Sequence, residues 1–122
     1  MILTTVSRNA MCNALVDLVD AGTGDGYLAF ETSGDVEVAT LPFGATAFGN
    51  AATGVATANA ITSDTNATGG TVAQASVFDG DDQKLWENTV STSGAEINLS
   101  SLAVGAADTV LMSAFTVTVP AS

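Results

Sequence analysis

Histidine is absent from this 122-residue chain, cysteine occurs once, and lysine and arginine together number two. With no histidine and a lone Cys12, the chain has no Cys/His pair for nucleophilic catalysis, no Cys/His metal cage and no internal disulfide. Cys12 therefore reads as a small buried apolar residue. Serine chemistry lacks its usual base and the G-x-S-x-G turn, and the one lysine sits beside a tryptophan on a hairpin. Arg8 and Lys84 stand against thirteen acidic residues, a formal charge of −11. Nucleic acids and anionic membranes are bound by neutralising phosphates with cations, so neither is an expected partner. No stretch approaches a membrane span, and Met1 to Thr5 is followed by neither a basic leader nor a long apolar run, so no export signal is expected.

What the chain does contain is small side chains. Ala, Gly, Ser and Thr supply 60 of the 122 residues, whereas Leu, Ile, Val and Phe supply 30. That apolar fraction lies above the range of disordered chains, so the sequence should fold around a lean core. The length fits one domain over residues 1–122, divided into an arm (1–5), a helix (6–21) and a β body (26–119).

From Val6 to Ala21, Met11, Ala14, Leu15, Leu18 and Val19 recur at three- and four-residue steps, the pattern of an amphipathic helix. Ser7, Thr4 or Thr5 can cap its start and Gly22 can stop it. Arg8 near the N-terminus and Asp17 and Asp20 near the C-terminus oppose the helix dipole, and no acid lies three or four places from Arg8. Its charge is therefore left to solvent or to a contact distant in sequence or on a partner. The apolar start Met1-Ile2-Leu3 needs an anchor to be ordered, either its own domain or a partner.

After the turn Gly22-Thr23-Gly24-Asp25-Gly26 the pattern alternates. Tyr27 to Phe30 and Val36 to Phe43, with Pro42 at a strand end or edge, predict a hairpin. Gly44 to Thr53 is either a packed loop or an extra strand, with Phe43 and Phe48 as anchors. Val55 to Ala60 reads as a strand and Ser63 to Gly70 as a loop. Thr71 to Phe78 and Lys84 to Val90 form the clearest hairpin, Glu96 to Leu99 a short strand, Ala103 to Asp108 a loop, and Thr109 to Val119 a long final strand. The expected fold class is mainly β: an antiparallel β-sandwich, jelly-roll- or Ig-like, of about seven to eight strands with one N-terminal α-helix.

Few motifs carry chemistry. Asp79, Asp81 and Asp82 concentrate hard oxygen ligands suited to Ca²⁺, but Gln83 and Lys84 occupy places where an EF-hand needs a ligand and a glycine, and the closing Glu is missing. A solvated hairpin tip is the expected state, with cation binding the alternative. The run Gly22 to Gly26 follows a helix and precedes a strand, the reverse of a phosphate-binding loop. Many carboxylate pairs exist, but none is singled out for acid/base work. No catalytic, cofactor or metal residue is expected, and the chain is not expected to be an enzyme.

Several segments nevertheless resemble a family, the small decoration or cement proteins from the head-gene clusters of tailed bacteriophages. They are Ser7 to Ala10 leading into Ala14 to Gly22, Phe48 to Ala52, Gly54 to Ala58, Ser91 to Ala95, and Phe115 to Pro120. The resemblance implies a non-enzymatic virion protein, made in the host cytoplasm, that binds the capsid exterior and stabilises contacts between major capsid protein subunits as a homo-oligomer. Two other roles fit the same residues: a tail or head-to-tail connector component, and a carbohydrate-binding surface module that stacks sugars on Trp86 and Tyr27 beside Ca²⁺ at Asp79, Asp81 and Asp82.

Overall fold

A computed structural model describes residues 1–122, and the protein in it is mainly β with one N-terminal helix. Helix α1 spans Thr5–Asp17 and tightens into a 3₁₀ turn at Leu18–Asp20. Thr4 is the N-cap, its side chain accepting from the Ser7 amide, and Gly22 leaves the turn at a φ of +100°.

Of the stripe expected from Met11, Ala14, Leu15, Leu18 and Val19, the fold buries Val19 alone. The buried residues of α1 and its 3₁₀ turn are Cys12, Val16 and Val19, while Met11 and Leu18 are about half exposed, at 50% and 47%. The reason lies in the polar residues beside the buried stripe. Asn9 Oδ1 accepts from Gly54 N at 2.8 Å, Asn13 Oδ1 from Ala51 N at 2.8 Å, and Asp20 Oδ1 from Ala47 N at 2.9 Å. These positions share one helix face, and they supply acceptors to a loop whose amides would otherwise be left unpaired on packing. The helix thus docks through hydrogen bonds along one edge of its buried face. That also explains Asp20 near the C-terminus, where the dipole disfavours it.

The strands are β1 (Tyr27–Glu31), β2 (Glu37–Pro42), β3 (Val55–Thr57), β4 (Gly70–Thr71), β5 (Gln74–Phe78), β6 (Lys84–Ser91), β7 (Ile97–Asn98), β8 (Ala103–Val104) and β9 (Thr116–Thr118). Five form one sheet in the order β2-β1-β5-β6-β7, and β3-β9 and β4-β8 make two-stranded ribbons. The two expected hairpins, β1-β2 and β5-β6, are present and antiparallel. The pairing does not draw two facing sheets of seven to eight strands, and β7 lies parallel to β6 rather than antiparallel. The long strand expected over Thr109–Val119 survives only as β9 and a bridge from Val110 to Asp64. The strand expected over Thr71–Phe78 is split, and Ala103–Val104, expected as loop, pairs with β4.

Alternation gives the sheet two unlike faces. Leu28, Phe30, Leu41, Ala75 and Val77 point to the core, joined by the loop residues Phe43, Ala47 and Phe48 and by Phe115 after the last turn. Phe43, Phe48 and Phe115 meet with centroid separations of 5.4 to 6.4 Å. The other face carries Tyr27, Glu31, Gln74, Ser76, Phe78 and Lys84. Gly44 to Thr53 is the packed loop, not an extra strand, pinned by the helix as described above.

Candidate functional site

The Asp79-Gly80-Asp81-Asp82 turn is a hairpin tip whose Asp81 and Asp82 are exposed, as expected, but whose base is not free in solvent. It docks onto the Gly22 to Gly26 run, and glycine is what allows this: a Cβ on Gly80 would lie 2.0 Å from the Gly24 carbonyl oxygen. Gly80 N donates to Ala21 O at 3.1 Å, and Thr23 donates through both N and Oγ1 to Asp81 Oδ1. Asp79 is 6% exposed and its Oδ1 accepts from the amides of Asp81 and Gln83, each at 2.9 Å. Asp82, at a φ of +64°, accepts from the Tyr27 hydroxyl at 2.9 Å. The three carboxylates therefore diverge toward three different donors. No group of three acidic or cysteine side chains is placed to hold a metal ion.

On the outer sheet face, Glu31 is nearly buried, at 5% exposure. It accepts from Ser76 Oγ and from Gln74 Nε2, and pairs with Lys84 Nζ at 3.4 Å. Asp35 stands 3.6 Å from the same ammonium. Partial desolvation of Lys84 works to lower its pKa, but Glu31 and then Asp35 outweigh this and hold it above the ordinary lysine value. Lys84 also lies 5.8 Å from the centroid of the Phe78 ring, which stacks on Tyr27 at 4.9 Å. Burial pushes the Tyr27 phenol up to about 12, assisted by its hydrogen bond to Asp82 and by the negative charge of Asp82, Glu31 and Asp79.

Tyr27 and Trp86 cannot act as one platform. Tyr27 faces Phe78 across β1 and β5, whereas Trp86 faces Val77, so the two rings stand on opposite faces of the sheet. Trp86 is half-buried against the core.

Arg8 is partly buried and makes a contact distant in sequence. Its Nε donates to Val119 O at 2.8 Å, and its guanidinium lies over Gly54, where a Cβ would be 2.7 Å from it. The arm is anchored at its third residue, Leu3 N donating to Ala121 O at 2.7 Å, and before that Met1 and Ile2 are exposed.

Of the thirteen carboxylates, all but Asp17, Asp25 and Glu87 accept a hydrogen bond or pair with Lys84. Most of these acceptors hold turns and loops, an outcome that neither composition nor spacing signals. What sequence reasoning missed is a groove. It runs between Glu96–Leu99 on one side and Leu111–Thr116 on the other, and continues past Trp86, Asn88 and Leu15 along Thr116–Thr118. The sequence signal was the long alternating run ending at Val119, which marks a segment suited to pairing.

No helix is long and apolar enough to cross a membrane. No protein-family model, no curated protein and no solved structure matches the chain.

Proposed function

We propose that the protein is a non-enzymatic structural component of a tailed-phage virion. In this reading it decorates the outside of the assembled head, where homo-oligomers bridge neighbouring major capsid protein subunits. We read the two ribbons, β3-β9 and β4-β8, as the second layer of the β-sandwich expected for such a body.

The observation that carries this reading is the distribution of side chains. Most of the carboxylates hold turns and loops or pair with Lys84 on the sheet, while Met1, Ile2, Val6, Met11 and Leu18 stand exposed along the arm, α1 and the 3₁₀ turn that follows it. Apolar side chains left outside in this way mark contact with another protein. The acidic surface suits a protein held in many copies outside a DNA-filled shell. The family likeness of Ser7 to Gly22 and of Phe115 to Pro120 supplies the partner.

The test is sedimentation of purified protein with capsids stripped of it, followed by imaging of the particles and heating of the shells. Hundreds of copies on the outer surface and a raised disruption temperature are expected. A few to tens of copies in a ring at a vertex would instead assign it to the connector or tail, and absence from the particle would overturn the proposal.

A further inference from the structure

We propose that the groove between β7 and β9 is an acceptor for one extended, positively charged peptide segment of another protein, added as a strand. The inference rests on unpaired backbone and does not depend on whether that protein is a capsid subunit.

Both walls present main-chain groups with nothing to pair. Leu99 N donates to Ser91 O, so the alternating peptide of Asn98 faces away from β6 and into the groove. On the other wall, Phe115, Val117 and Val119 bond to the β3 side: Ala58 N donates to Phe115 O, and Val119 N to Gly54 O. The peptides of Thr116 and Thr118 therefore face the groove. Between Val110 and Phe115, the backbone groups of Leu111 to Ala114 make no hydrogen bond within the chain. A row of unpaired N–H and C=O groups is a template for another strand.

Apolar contacts accompany it. Ile97, Leu99, Leu111, Met112 and Phe115 line the groove, and Leu111 is 64% exposed. At the far end Asn88, 8% exposed, lines the continuation, and its Nδ2 has no acceptor. A buried amide without a partner is costly. A carbonyl of an inserted strand would supply one.

Charge selects the occupant. Glu96 lines the groove and Glu87 its continuation past Trp86, and neither cation reaches it, because Arg8 is bound to Val119 O and Lys84 to Glu31 and Asp35. In the field of a chain of formal charge −11, a segment alternating apolar and basic residues satisfies the backbone, the apolar lining and the field together.

The test uses the full ¹⁵N-labelled chain titrated with a capped ten-residue peptide alternating valine and lysine. Controls are the same peptide with glutamate for lysine, and one of identical composition with the valines and lysines in separate blocks. The alternating peptide is expected to shift the amides of Asn98, Ser113, Thr116 and Thr118 and to slow their hydrogen exchange about tenfold or more. Raising salt from 0.05 to 0.5 M should weaken it by about tenfold. The glutamate and block peptides should not bind in the groove. Thr116→Pro removes an outward N–H without breaking the β3 ladder and should abolish binding; Leu111→Lys, at an exposed position, should weaken it at least about tenfold even if the proline variant does not fold. Equal binding of the block peptide, shifts confined to the Tyr27–Phe78 face, or concentration-dependent shifts of the same amides without peptide would each overturn the proposal.

Discussion

Arg8 and Val119 are joined by a 2.8 Å hydrogen bond across 111 positions of sequence, so the first turn of the helix holds the end of the last strand. A guanidinium does this where an ammonium would not, because its planar Nε–H can be aimed while the rest of the group lies flat on Gly54. Arg8→Ala should destabilise the protein by about 1.5 to 3 kcal/mol, and Arg8→Lys should recover less than half of that. Urea unfolding followed by Trp86 fluorescence measures both.

Gly80→Ala should cost at least about 1 to 3 kcal/mol, because the clash is with the Gly24 backbone, which cannot rotate away. Gly44→Ala is the matched control, since a Cβ there meets nothing within 4 Å. A Gly80 variant as stable as the Gly44 variant would refute the docking of the two turns.

Asp79→Ala should destabilise the protein by about 2 to 4 kcal/mol, since it leaves the amides of Asp81 and Gln83 without their acceptor in a nearly buried turn. Added Ca²⁺ and added chelator should each leave the thermal midpoint unchanged, because the three aspartates point to separate donors. A rise in midpoint with Ca²⁺ that vanishes in Asp81→Asn would restore the cation reading.

Tyr27 is the only tyrosine, so its ionisation can be followed directly by ultraviolet absorbance. The folded phenol should titrate near 12, and the unfolded one near its ordinary value of 10.0. Above that ordinary value the unfolded chain releases a proton that the folded chain retains, so stability is full below it and falls as pH rises through the folded value. Lys84, also raised, acts in the same direction. Tyr27→Phe should flatten the tyrosine part of this alkaline loss, and an unchanged profile would argue against the hydrogen bond to Asp82.

Much of this architecture is legible in the amino-acid sequence. Gly22 to Gly26 and Asp79-Gly80-Asp81-Asp82 are turns on backbone grounds alone, and Leu28, Phe30, Val77 and Trp86 alternate as strand residues should. Apolar periodicity places Val19 correctly in the core but turns the helix too far toward Met11 and Leu18, because it cannot see that Asn9, Asn13 and Asp20 bind loop amides. The final strand is shorter than its pattern predicts for a similar reason: Leu111 to Ala114 have strand character but no strand beside them. Strand propensity is local, whereas a ladder requires a neighbour brought from elsewhere in the sequence.

Cys12 lies wholly out of solvent beneath the helix, its Sγ donating to Val117 O at 3.4 Å. It is the only thiol in the chain, and no reagent can touch it while α1 rests on β9. The rate at which a thiol reagent modifies the native protein is therefore a clock for helix undocking, reporting the free energy of that opening when closing outpaces the chemistry and its frequency when it does not.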